Sequence, residues 1–136
     1  MIYLDSAAIV KLIRREKESQ ALHEWLTAQE DKILVASALV LTEVPRALRR
    51  TDPGRLSAVP TVLAKLNRVP MDDTVLATAA AYEDPMLRTL DAIHLASAET
   101  LVLEGLSLTA LVTYDKRLLS AAADTGFATA APGARE

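Results

Sequence analysis

The sequence predicts an α/β fold built on a mostly parallel central sheet, and three observations predict it. Short apolar runs without polar alternation (MIYLDS, DKILVAS and LTALVTYD) read as strands buried on both faces. Longer segments lie between them, with apolar residues recurring every three to four positions, the spacing of helices that cover a sheet. The alternation of strand and helix supplies the crossovers that parallel pairing requires.

Each element has its own signal. MIYLDS stops at Asp5-Ser6, and Ser6 is expected to cap a helix through AAIVKLIRRE. ESQALHEWLTAQ places Leu22, Trp25 and Leu26 at helical spacing, with Trp25 in the core or an interface. DKILVAS is the second strand. Ser37 then caps a helix running ALVLTEVPRALRR, where Pro45 lacks an N–H and marks a kink or a boundary. TDPGR is a turn or helix start, PTVLAKLNR a helix and VPM a very short strand.

Asp72-Asp73-Thr74 begin a helix through VLATAAAYE. Asp84-Pro85 introduces LRTLDAIHLASAE, a helix from Leu90 to LVLEG whose apolar positions include Leu90, Ile93 and Leu101, with Gly105 as its C-cap. LTALVTYD is the third strand. KRLLSAAADTG is a helix closed by Gly126, and FATAAPGARE is a tail with at most one edge strand. No linker, repeat or low-complexity block interrupts the chain, so residues 1–136 read as one domain. A domain of this size buries about two-thirds of its unfolded surface and needs no staple.

The absence of cysteine excludes disulfides, thiolate metal sites and cysteine nucleophiles, and fits a cytoplasmic chain. The N-terminus has no basic residue before its apolar part, which Asp5 interrupts, so no signal peptide is expected. No apolar run approaches the ~20 residues that span a bilayer. A formal net charge of −3 does not by itself point to nucleic acid.

The acids carry the chemistry. Strand one ends at Asp5, and the helix after strand two carries Glu43 in its second turn. Asp91 lies in the first turn of the later helix, and ALVTYD ends at Asp115. Ligands of open α/β sheets bind beyond the carboxyl ends of the strands, where a parallel sheet lets all four converge. Carboxylates gathered in one site repel each other, and a divalent cation removes the conflict. Oxygen-only ligands favour Mg²⁺ or Mn²⁺ over zinc. No glycine-rich phosphate loop or EF-hand spacing competes. Such a site suits phosphodiester hydrolysis by metal-activated water, with no side-chain nucleophile.

These stretches resemble a known family. MIYLDSAAIVKL, ASALVLTEVPRAL, LRTLDAIHLASAE and LVTYDKRLLSAAADTGFATAAPG are similar, in order and separation, to the four acidic motifs of PIN-domain ribonucleases. The nearest group is the toxin half of VapBC-type toxin–antitoxin pairs. The resemblance spans nearly the whole chain and implies a PIN-like three-layer α/β/α sandwich. It implies an endoribonuclease that uses Mg²⁺ or Mn²⁺ to hydrolyse RNA, leaving a 5′-phosphate. Asp5, Glu43, Asp91 and Asp115 are carried over as the catalytic, metal-binding acids. A homodimer and a small inhibitory antitoxin covering the site are implied as well. Pro45 and the short VPM segment depart from the simplest pattern without touching the acids.

Each residue also has a plainer reading. Asp91 is the kind of acid a helix N-terminus favours, Asp5 suits a turn, Glu43 a solvated helix face, and Asp115 a cap. Ser6 and Thr113 are candidate supporting residues, Thr113 because its spacing from Asp115 puts both on one strand face. His94 reads as a packed or hydrogen-bonded helix residue. Arg14, Arg15, Arg46, Arg88 and Lys116, each close in sequence to an acid, are candidates for RNA phosphate contact, against the plain reading of a solvated face. Three other functions remain open at this point: a catalytically silent PIN-fold binding protein, a receiver-like Mg²⁺-binding signalling domain, and a DNA-directed nuclease.

Overall fold

The structure, a computed structural model, describes residues 1–134; the last two residues of the tail, Arg135 and Glu136, lie outside the described residues. Five strands form one all-parallel sheet in the order β3-β2-β1-β4-β5. They are β1 (Ile2–Leu4), β2 (Leu34–Ser37), β3 (Asn67–Val69), β4 (Ala110–Val112) and β5 (Thr129–Ala130). β1 lies at the centre, with Ile2 opposite both Leu34 and Ala110. Its three residues have no exposed surface, as a central strand covered on both faces must.

Alternation along β1 divides the core in two. Ile2 and Leu4 face one layer, with α1 (Ser6–Ile13), α2 (Ser19–Ala28), α3 (Val40–Thr51) and α4 (Val59–Ala64). Tyr3 faces the other, with α5 (Asp73–Ala81), α6 (Thr89–Leu103) and α7 (Lys116–Asp124). The result is the three-layer sandwich that the sequence pattern implies.

Local chemistry moves several boundaries. The cap of α1 is Asp5, not Ser6: Asp5 accepts from the Ala8 N–H at 2.9 Å, and Ser6 is the first helical residue. Ser37 belongs to β2. Its hydroxyl accepts from the Leu39 N–H at 3.1 Å, and Leu39 stands at the start of α3. Pro45 does not end α3, which continues to Thr51, and Glu43 falls in its first turn rather than its second. α4 stops at Ala64, so Asn67 and Arg68 join β3 instead of extending a helix to VPM. At TDPGR, expected as a turn or helix start, a 3₁₀ segment begins and runs Pro53–Ala58.

The later elements differ less. α6 is buried almost continuously from Ala92 to Ala98, whereas Leu90 is 48% exposed and does not share that burial. Gly105 and Gly126 end α6 and α7 in the left-handed region, at φ +91° and +101°. The edge strand of the tail is present as β5.

Candidate active site

The chain runs outward from β1 to β2 and β3, then crosses to β4 and β5 on the other side. The order therefore reverses between β1 and β4, and their carboxyl ends frame the crevice where ligands of such sheets bind. Asp5 follows β1 and Thr113 follows β4, and the Thr113 hydroxyl donates to Asp5 Oδ2 across the crevice. Both Asp5 oxygens thus have a donor, and the side chain is only 4% exposed.

Thr113 also links to Asp115. β4 ends at Val112, so the two do not share a strand face; instead the Asp115 N–H donates to Thr113 Oγ1 at 3.1 Å. Asp115 caps α7, its Oδ1 accepting from the Arg117 and Leu118 N–H groups at 2.9 and 3.0 Å. The cap reading of this residue therefore holds, and Oδ2 is left over. Glu43 reaches in from α3. Its Oε1 accepts from the Ser6 hydroxyl at 2.9 Å and lies 2.8 Å from His94 Nε2. His94 is buried, as expected for a packed helix residue, and its Nδ1 lies 2.7 Å from the Tyr3 hydroxyl.

Asp91, in the first turn of α6, is partly buried. Among the described residues no hydrogen bond ends on its carboxylate, unlike Asp5, Glu43 and Asp115. Burial pushes its pKa above the ordinary carboxylate value, and the nearby Asp115, Asp5 and Glu43 push the same way while His94 opposes them. Burial likewise raises Asp5, against the lowering effects of His94, Thr113 and the Ala8 N–H. The four acids therefore share one electrostatic neighbourhood, in which His94 only partly opposes the upward push.

Among the described residues, no three His, Asp or Glu side chains stand close enough to enclose one ion. The donors still suit a hard divalent cation. The Asp91 carboxylate, Glu43 Oε2 and Asp115 Oδ2 have no protein donor among the described residues, all are oxygens, and Asp91 is destabilised as an anion. The residues fit such an ion in charge and donor type.

The basic candidates separate. Arg46 and Arg50 line a groove of about 490 Å³ that runs from Ser6 and Glu43 over Val10, Leu39 and Leu90. Arg88 precedes α6 and Lys116 begins α7, both exposed beside an acid. Arg14 and Arg15 line a different cleft with Lys11 and His23, roughly 12 Å from Asp5 along eight-residue α1. Tyr3 is the site residue that sequence reasoning missed. It reads as one more apolar strand position, and only its pairing with His94 reveals the hydroxyl's use.

The pattern of the PIN domain family matches residues 2–124. The chain belongs to the PIN-domain family. This PIN domain is 51% identical over 133 residues to Ribonuclease VapC35 of Mycobacterium tuberculosis, with 98% of each chain covered. Its fold is similar to the crystal structure of Mycobacterium tuberculosis VapC20, a Sarcin-Ricin loop cleaving toxin, at a TM-score of 0.72 and 16% identity. That match covers 97% of this chain and 100% of the other. A toxin–antitoxin complex from Klebsiella pneumoniae is similar at a TM-score of 0.65 and 18% identity, covering 88% and 91% of the two chains. At these identities the two structures speak for the shared fold.

Proposed function

We propose that this PIN domain is an endoribonuclease dependent on Mg²⁺ or Mn²⁺, the toxin of a toxin–antitoxin pair. It acts in the cytoplasm as a homodimer and is held inactive by a small antitoxin protein. The observation that carries the reading is the cluster of Asp5, Glu43, Asp91 and Asp115 at the β1/β4 crevice, with Asp91 raised in pKa and without a donor among the described residues. The near-full-length similarity to a curated ribonuclease supports the activity.

Asp5, Glu43, Asp91 and Asp115 would hold the cation. A bound Mg²⁺ or Mn²⁺ would orient the phosphate, stabilise developing charge and lower the pKa of the attacking water. The chain supplies the frame. The α1 N–H and Thr113 hold Asp5 in one orientation, and Ser6 restrains Glu43. Arg46 and Arg50 offer positive charge beside the acids, where RNA phosphates are attracted despite the negative total. Arg88 and Lys116, at the starts of α6 and α7 beside Asp91 and Asp115 in sequence, are further candidates for phosphate contact. Arg14 and Arg15, in their separate cleft, would contact only an RNA that extends beyond the crevice. Leaving a 5′-phosphate requires that the water oxygen bond to phosphorus as the bond to the 3′-oxygen breaks. The apolar floor of the Arg46 groove and the exposed Leu41 and Leu90 suit the apolar face of an antitoxin segment lying over the acids.

The test is Mn²⁺ binding by calorimetry, wild type against Asp5→Asn and Asp91→Asn, followed by RNA cleavage. Metal binding by the wild type, lost in both folded variants together with cleavage, is expected. A folded Asp91→Asn protein that cuts RNA at the wild-type rate refutes the reading. One observation favours a second reading, a silent PIN fold used for binding: no metal cage is preformed among the described residues. Mn²⁺ binding without turnover on any RNA selects it. The receiver-like alternative falls with the family match and with the strand order, which is not the 2-1-3-4-5 order of that fold.

A further inference from the structure

A chain of hydrogen bonds begins in the backbone of β2, passes through the far face of the sheet and ends on Glu43. The Ser37 N–H donates to the Tyr3 hydroxyl at 3.2 Å. That hydroxyl lies 2.7 Å from His94 Nδ1, and His94 Nε2 lies 2.8 Å from Glu43 Oε1. Tyr3 is fully buried and His94 is 1% exposed, so water does not compete for the Tyr3 hydroxyl or the ring nitrogens.

Donor counting orders the ring. A carboxylate oxygen only accepts, so the proton toward Glu43 sits on Nε2. With that single ring proton Nδ1 is the acceptor, and the Tyr3 O–H donates to it. The Tyr3 oxygen keeps a lone pair, and the Ser37 N–H fills it. Every donor has one acceptor, in one direction, from the backbone of β2 to the carboxylate on α3. The path crosses layers: α3 lies on one face of the sheet with Leu4, while α6 and Tyr3 lie on the other.

We propose that His94 is a positioning residue for Glu43. Tyr3 and the Ser37 N–H fix the proton on Nε2, and Nε2–H together with the Ser6 hydroxyl pins Oε1, so that Oε2 is the oxygen left for a cation. The proposal rests on the reading of Glu43 as a metal-binding acid. An unpinned glutamate samples many rotamers, most of which point its second oxygen elsewhere. Partners that orient a metal ligand are typically worth about 10–100-fold in metal affinity.

The side chains of asparagine and glutamine separate this role from packing. The amide of His94→Asn ends near the level of Nδ1, within reach of Tyr3 and short of Glu43. The amide of His94→Gln extends to the level of Nε2 and can donate to Glu43. The experiment compares wild type, His94→Asn, His94→Gln and Tyr3→Phe by Mn²⁺ calorimetry on metal-free protein, by thermal melting, and by ¹⁵N NMR of the histidine rings. The chain has two histidines, and the other, His23, is exposed on α2, so the ring signals separate.

His94→Asn is expected to lose about 10–100-fold in Mn²⁺ affinity, and His94→Gln to recover most of it at a similar melting temperature. The wild-type ring is expected in the Nε2–H form, and Tyr3→Phe is expected to lower Mn²⁺ affinity several-fold with His94 intact. Equal affinity in folded wild type and His94→Asn overturns the proposal, as does an Nδ1–H ring in the wild type. If His94→Asn does not fold, wild-type affinity in Tyr3→Phe together with an unaltered ring spectrum overturns it. A wild type that binds no Mn²⁺ defeats the metal reading of the acids. In that case the ring spectra decide the hydrogen-bond chain by themselves.

Discussion

At one end of α1, Lys11, Glu16 and Glu18 form a closed set; at the other, Asp5, Glu43, Asp91 and Asp115 form an open one. Lys11 Nζ lies 3.0 Å from Glu16 and 3.1 Å from Glu18, and 4.7 Å from the centre of the Tyr114 ring. Burial works against the Lys11 charge, yet the two glutamates hold its pKa above the ordinary lysine value. Burial also works against Glu18, yet Lys11 holds it below the usual carboxylate range. In the crevice His94 works against the rise without offsetting burial, and Asp5 and Asp91 are pushed up instead. Within one helix length, the fold settles one group of charges and leaves the other unsettled. Unsettled charge gathered in a cleft marks a candidate site.

Removing the open set's chemistry has the largest effect. Asp5→Asn and Asp91→Asn should each lower RNA cleavage by at least about 100-fold, measured as initial rates. Asparagine caps a helix as well as aspartate does, so Asp5→Asn should melt close to wild type.

Gly133→Ala disturbs the closed set from the side. Gly133 sits at φ +83°, and an added Cβ would stand 2.8 Å from Ala21 Cβ and 3.4 Å from Glu18 Cα. The adjoining Pro132 carbonyl accepts from the Tyr114 hydroxyl at 2.8 Å. The left-handed backbone and the clash together should cost about 1–3 kcal/mol in urea unfolding. Metal affinity of the folded fraction should not change.

Lys11→Met opens the closed set and should cost about 1 kcal/mol at pH 7, since the pairs are only partly buried. The sign with pH follows from Glu18. Its depressed folded pKa means stability present above the unfolded value and lost as pH falls through the folded one. The penalty of Lys11→Met should therefore fade in urea melts taken below about pH 4.

Asp91→Asn should have the smallest effect and the opposite sign in metal-free protein. The raised folded pKa of Asp91 means that its ionised form opposes folding at neutral pH. The variant should be more stable than wild type at pH 7, by less than about 1 kcal/mol. The gain should shrink as pH falls through that raised pKa, because wild-type Asp91 takes up its proton there. Added Mn²⁺ should reverse the order by stabilising the wild type alone. If Lys11→Met and Asp91→Asn shift stability in the same direction, the contrast between the two charge sets is wrong.

Most of the fold was legible because its signals are local. Unalternated apolar runs mark strands buried on both faces, and Gly105 and Gly126 mark helix ends because both adopt φ values that other residues avoid. The departures were local competitions that spacing does not resolve. Asp5 outcompeted Ser6 as the cap of α1, and α3 tolerated Pro45 within its length. Leu90 kept an apolar place in the periodicity of α6 yet lies exposed beside the acids, where the groove passes.

The sequence by itself determined the order of strands and helices, the four acids and their places at the ends of elements, and the family likeness. Period, residue type and position along the chain suffice for these. Only the tertiary structure decided which carboxylate oxygens already have donors, that Arg46 faces the crevice while Arg14 and Arg15 do not, and that Tyr3 reaches Glu43 through His94. Residues 3, 37, 43 and 94 come from two strands and two helices on opposite faces of the sheet. A hydrogen bond is a matter of a few tenths of an ångström between atoms that no spacing in the chain relates, so it exists only once the layers have packed.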